Sequence, residues 1–332
     1  MGLKYKDFKI RGIDVSEFNG TINWAKVQAN FAAVRVGYGR VTDARFVTNW
    51  AGAKGKVDRL AYWYMDYYSH HNKSSTAYGI SDRDWGKVQA ETCWNLLKND
   101  NEGIVFLDIE KSAVGPSLTS VKSRVLTIAQ SFFDHYDKLS GKVNGIYTSI
   151  SMCSFFTESI RKRPLWVAWY NESQSIESIK NQAATRGWLG KCLIWQYTSD
   201  GDIDDDGKPD GVSMGMTNKF LDLNGWLGTY EEYQQLFGRK AEVALYKIQI
   251  LIYNLLVRNG PGTNYQHLRR ANFPGEYSIY EEKNGYGRIS QTLSEWVSLD
   301  PAYVKKLTPN TSVEISDAEK LARLWAAHPE LH

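Results

Sequence analysis

The sequence predicts an α/β chain: an irregular (β/α) barrel followed by a small all-β barrel. Three observations carry this. Residues 1–230 hold eight short apolar runs of strand length. Between several of them lie longer stretches with apolar residues at i, i+3, i+4 spacing. After about residue 240 the runs shorten, alternate in polarity and are broken by turn-forming residues. A length of 332 residues fits one large barrel plus a small module.

The eight runs are "IRGIDVS" (10–16), "AAVRVGYG" (32–39), "RLAYWYMDYY" (59–68), "GIVFLDIE" (103–110), "NGIYTSI" (144–150), "LWVAWYN" (165–171), "CLIWQYTS" (192–199) and "FLDLNGW" (220–226). Helical spacing is clearest in "DWGKVQAETCWNLLKN" (84–99), with Asp84 as candidate N-cap, and in "TSVKSRVLTIAQSFFDHYDKL" (119–139). The barrel is expected over residues 1–230 and a linker over 231–240. The β module follows at 241–310, built from runs such as "VALYKIQI" and "EWVSL" around the turns "NGPGTN" and "FPGE". A helical tail is expected at 311–332, with Ala318, Leu321, Leu324 and Trp325 on one face.

Composition narrows the function. The chain is 42% hydrophobic and 13% aromatic, enough for a large core and for aromatic faces that suit sugar rings. Its formal charge is only +3, and residues 241–332 carry 10 basic and 10 acidic side chains, so no nucleic-acid partner is expected. Three scattered cysteines, Cys93, Cys153 and Cys192, suggest neither a disulfide framework nor a zinc site. The N-terminus has no apolar leader-like segment and no run could span a membrane, so synthesis in the cytoplasm without membrane insertion is expected.

The sharpest signal is where the acids fall. "VFLDIE" is an apolar strand that finishes on Asp108 and Glu110, two residues apart and therefore on one face. Asp14 ends the first run and Asp222 lies in the last. In a (β/α) barrel the functional face is formed by strand ends, so four carboxyls should meet at one mouth. Neighbouring negative charge and burial raise a carboxyl pKa, which is what a general acid needs. Glycosidic bond cleavage uses such a pair. Glu110 is the expected acid, with Asp108 supplying the raising charge. Tyr62, Tyr64, Tyr147, Trp166, Tyr170, Trp195, Tyr197 and Gln196 lie near other strand ends as candidate sugar contacts. Arg35, mid-strand, is expected to partner one of the acids.

The motifs "GIDVSEFNGTINWAKV", "VFLDIE", "GIYTS", "LWVAWYN" and "IWQYTS…FLDLN" resemble, in order, those of glycoside hydrolase family 25, the muramidase-type lysozymes of phage endolysins and bacterial autolysins. The resemblance implies cleavage of the β-1,4 bond between N-acetylmuramic acid and N-acetylglucosamine in bacterial peptidoglycan, without a required cofactor. It places Glu110 as general acid and Asp14, Asp108 and Asp222 as supporting carboxylates. The third run departs from the family's usual "GAYHF" and adds Asp66 near the mouth. A second departure, "DGDIDDDGKPDG", spaces Asp202, Asp204, Asp206 and Asp210 like positions 1, 3, 5 and 9 of a calcium loop, with Gly207 at position 6 but Ser213 at position 12. The stretch "LLVRNGPGTNYQHLRR…YSIYEEKNGYGRIS…EWVSL" resembles a bacterial SH3-type domain, implying wall-peptide binding with Tyr246, Tyr265, Tyr286 and Trp296 as candidate contacts.

Overall fold

The computed structural model describes residues 4–67, 79–111, 118–204, 206–239, 242–291 and 293–307. The chain divides into two compact units, Met1–Ala241 and Glu242–His332. The expected tail, 311–332, lies outside the described residues.

In the first unit the elements run β1 (Arg11–Val15), β2 (Phe31–Tyr38), β3 (Val41–Thr42), α1 (Phe46–Ala53), β4 (Asp58–Tyr64), α2 (Asp82–Leu97), β5 (Val105–Asp108) and α3 (Leu118–Ser140). They continue with β6 (Gly145–Ser149), α4 (Glu158–Arg161), β7 (Leu165–Ala168), α5 (Ile176–Ala184), β8 (Cys192–Thr198), β9 (Asp222–Trp226) and α6 (Tyr230–Leu236). The sheet order is β1-β9-β8-β7-β6-β5-β4-β2-β3, and β1 also pairs with β2. That pairing closes the eight expected strands into a barrel, with β3 an antiparallel flap on the end of β2.

The barrel is irregular at one place. All its pairings are parallel except those of β9, which runs antiparallel to both β8 and β1. A parallel return needs a crossover long enough for a helix. Between β8 and β9 the chain instead makes turns and bends and comes back reversed. Its register sets Asp14 opposite Asp222 and Arg11 opposite Gly225.

Alternation along the strands builds two cores. Outward residues such as Val34, Val36, Trp63 and Leu107 pack with Trp85, Cys93 and Phe132 of the helices. Inward residues such as Phe31, Leu60, Phe106, Trp166 and Ile194 fill the barrel, and Trp226, Tyr233 and Phe237 join them. Residues 231–240, expected as a linker, therefore begin with α6, whose Tyr233 and Leu236 belong to the barrel interior. The rings leave no room beside them. A Cβ on Gly145 would come within 2.4 Å of the Phe106 ring, and one on Gly12 within 2.1 Å of Phe31.

Helix α2 is capped by Ser81, whose Oγ accepts the Asp84 N–H; Asp84 is the third residue of the helix rather than its cap. The cysteines are free and buried.

The second unit holds two antiparallel sheets. One has β10 (Tyr246–Ile250) between β13 (Glu276–Ile279) and β17 (Val304–Leu307). The other is ordered β12 (His267–Arg270), β11 (Leu256–Arg258), β16 (Trp296–Ser298), β15 (Tyr286–Arg288) and β14 (Glu281–Lys283). Ile248, Ile250, Leu255, Val257, Ile279 and Val297 belong to one small core. Trp296 is buried and donates its indole N–H to Ser294 Oγ, so it packs the module and is not an exposed contact. Tyr265 is exposed, its ring lying so close over Gly260 that a Cβ there would meet it at 2.1 Å. Tyr246 sits under Lys306 Nζ, 3.5 Å from the ring centre, and donates its hydroxyl to Glu282. Tyr286 is half-buried on β15.

Candidate active site

The inward face of β5 changes character along its length. Ile104 and Phe106 plug the barrel, Asp108 follows, and Glu110 stands just past the strand end. Asp14, on β1, lines the same cleft as Asp108 and Glu110. Asp222 reaches the same mouth for a different reason than the sequence suggests. It is the first residue of β9, and only the reversal of that strand brings its start to the level where the others end. The four carboxyls line one cleft of about 450 Å³, together with Ser16, Glu17, Phe18, Arg35, Tyr38, Tyr62, Tyr64, Tyr147, Trp166, Tyr170 and Gln196. A second cavity of about 490 Å³ shares Glu110, Tyr147 and Tyr170 with it and adds Lys111, Ser149, Ile150, Ser151, Ala168 and Trp169. Glu110, half-buried, thus stands on the wall common to both.

Asp14 and Asp108 are buried. Asp14 Oδ2 accepts from Gln196 Nε2 at 2.8 Å and from Asn224 Nδ2 at 2.7 Å. Burial raises Asp14 to about 6; the two amide donors pull the other way and Glu110 adds to the rise. Asp108 and Asp222 are pushed well above the usual carboxylate range, first by burial and then by the charges of Glu110 and Asp14. Asp108 Oδ1 is buried without a hydrogen-bond partner among the described residues. With Asp108 and Asp222 raised in this way, the cleft keeps protons on them above the usual carboxylate range. A bond-cleaving acid needs that property.

Several expected residues have other roles. Arg35 lines the cleft, but its ion pairs, both 2.7 Å, go to Glu17 and the buried Asp43, and its guanidinium lies 4.9 Å from the Phe18 ring centre. It lowers Asp108 only at a distance. Asp66 is buried against Gly39, is not among the residues lining either cavity, and uses its carbonyl to accept from Trp85 and Gln89. Trp195 and Tyr197 point out of the barrel and pack with Phe8, while Gln196 between them points in. In the Asp-rich loop Asp202, Asp204 and Asp210 bring carboxylate oxygens within 4.8 Å of one another. Asp206 turns instead to Lys208 at 3.0 Å.

The sequence reading missed Ser16, Glu17, Phe18, Tyr38 and Asn224. Asn224 was recoverable, since it lies two residues from Asp222 and so on the same face. Phe18 was not, because a 3-10 turn over Glu17–Asn19 exposes it at 72%.

The sequence model of glycosyl hydrolases family 25 matches residues 13–206. The chain belongs to this family. The barrel resembles a family 25 glycosyl hydrolase from Bacillus anthracis (19% identity, TM-score 0.50, covering 71% of this chain and 97% of that one). It also resembles a bacterial lysozyme from Streptomyces coelicolor (22% identity, TM-score 0.50, covering 69% and 96%). These likenesses are of fold. No match was found among curated proteins. The matched residues of this glycoside hydrolase include Asp14, Asp108 and Glu110, whereas Asp222 and Asn224 lie beyond them. Among its described residues no helix is long and apolar enough to cross a membrane.

Proposed function

We propose that this chain is a peptidoglycan hydrolase of muramidase type, cleaving the β-1,4 bond between N-acetylmuramic acid and N-acetylglucosamine, as a phage-type endolysin that reaches the wall after release from the cytoplasm. The observation that carries the reading is the cleft itself. Four carboxyls converge at one mouth, and Glu110 stands between two cavities each large enough for a sugar. Glu110 protonates the leaving oxygen as the bond to the sugar's anomeric carbon breaks. Asp14, Asp108 and Asp222 face the developing positive charge and orient the attacking group. Tyr62, Tyr64, Tyr147 and Tyr170 offer ring edges and hydroxyls to the glycan, while Trp166, expected as a contact, is buried behind them with its indole N–H on Asn224. The chemistry needs no cofactor.

The second unit is proposed as a wall-binding module of bacterial SH3 type, with Tyr246, Tyr265 and Tyr286 as contacts for wall peptide. For the Asp-rich loop, calcium held by Asp202, Asp204 and Asp210 would tie down the connection into β9. Calcium should then raise the melting temperature of wild type and not of Asp204→Asn; equal curves for the two, with and without the ion, would reject it.

The deciding experiment digests Gram-positive peptidoglycan with wild type and Glu110→Gln, then reduces with borohydride and reads the ends by mass spectrometry. New muramitol ends, falling about 10³-fold in the variant, support the reading. Glucosaminitol ends would mean the other bond. No new ends from a wild type that still binds walls would mean a lectin.

A further inference from the structure

We infer that Gln196 and Asn224 are positioning residues that hold Asp14 as a resident anion of the cleft, ionised ahead of Asp108 and Asp222. The inference rests on the glycosidase reading and adds to it which carboxyl carries the charge and what keeps it there.

A carboxamide has one accepting and one donating end, and its orientation must be argued from its partners. For Asn224 the argument closes. Its Oδ1 lies 2.8 Å from Trp166 Nε1, and an indole N–H can only donate. The amide nitrogen must therefore face the other way, to Asp14 Oδ2 at 2.7 Å. Gln196 is set from the opposite side: its Oε1 accepts from Tyr147 at 2.7 Å and from Tyr170 at 3.0 Å, leaving Nε2 to donate to the same Oδ2. Two amides converge on one oxygen, Asn224 fixed by an indole that can only donate and Gln196 backed by two tyrosine hydroxyls.

Asp108 and Asp222 lack such support. Among the described residues Asp108 Oδ1 has no donor, and none reaches the Asp222 carboxylate. The groups around Asp14 make the contrast matter. Asp222 faces it across the β1–β9 pair, and Glu110 and Asp108 press on it or on each other from the end of β5. The Tyr62 hydroxyl, from β4, stays protonated, and Arg35 on β2 is spent on Glu17 and Asp43. Of Asp14, Asp108 and Asp222, the one that receives two N–H donors ionises first. Asp14 is then the carboxylate that meets positive charge on the sugar, and the acidic limb of the rate profile belongs to it.

The test is a ¹³C titration of side-chain carboxyls in the full chain, with Asp14 assigned by its loss in Asp14→Asn. In wild type Asp14 should ionise at lower pH than Asp108 and Asp222; the reverse order would overturn the inference without any variant. In Asn224→Leu and Gln196→Leu the Asp14 midpoint should rise by about one pH unit, and the acidic limb of kcat/KM on peptidoglycan should rise with it. An unmoved midpoint in variants with native near-UV circular dichroism, or a rate that falls equally at every pH, would mean that the amides only fill space. Should wild type cut no glycan at all, the glycosidase reading fails while the titration still decides the fate of the clamp.

Discussion

Asp108 carries a stability cost that the cleft retains. A buried carboxyl with an unsatisfied oxygen, held above its usual pKa by burial and by Glu110, is a destabilising group kept for chemistry. Its pKa is raised on folding, so the native state holds a proton that the unfolded chain gives up. The penalty is absent below the unfolded value of about 4 and grows as pH rises above it. Asp108→Asn should therefore raise the melting temperature of the first unit by about 2–4 °C at pH 7, for about 1 kcal/mol regained, and leave it unchanged at pH 3. Hydrolysis should fall at both. Phe18 makes the opposite prediction. Exposed at the rim and backed by Arg35, it contributes contact and little stability. Phe18→Ala should raise KM for peptidoglycan about five-fold, with kcat and the melting curve nearly unchanged.

Among elements, the junction of α3 with β5 and β6 is tied by one buried side chain. Asn144, buried, accepts the Val105 N–H at 2.8 Å and donates to Asp137 at 2.9 Å and to the Lys142 carbonyl at 3.0 Å. Asn144→Leu strands these groups at the barrel's foot and should cost about 3 kcal/mol, lowering the melting temperature by about 6–12 °C in a calorimetric scan. The strands themselves were legible in the sequence because alternation is a local property: each of the eight runs overlaps a barrel strand. The common face of Asp108 and Glu110 followed from spacing alone. Direction was not legible. Nothing in "FLDLNGW" distinguishes a parallel strand from a reversed one, so Asp222 was placed at the right mouth without its cause. Phase was not legible either: Gln196 and Tyr197 differ by one position, and only the register of β8 decides which enters the barrel. Arg35 was correctly marked as unfit for a plain core. Its partners, Glu17 and Asp43, come from turns whose shape depends on the finished fold.

On the scale of the whole molecule, activity should divide between the units. A truncated chain ending at residue 241 should hydrolyse soluble glycan fragments at the full-length rate. It should clear intact walls at least about ten-fold more slowly, because a tethered second unit multiplies local concentration on an insoluble polymer. Equal clearance by both forms would remove the wall-binding reading of residues 242–332.

The reversal of β9 has a topological consequence for the catalytic unit. Because the strand runs away from the mouth, it ends beside the start of β1, with Gly225 across from Arg11. The barrel's two chain ends are thus neighbours on the face opposite the acids, as circular permutation requires. Gly55, in the turn between α1 and β4, has a positive φ of 68° with open space around it. A permutant opened after Gly55, with residue 239 joined to Tyr5 by a short Gly-Ser linker, should close the same barrel and keep its hydrolysis, since no strand that carries a carboxyl is cut.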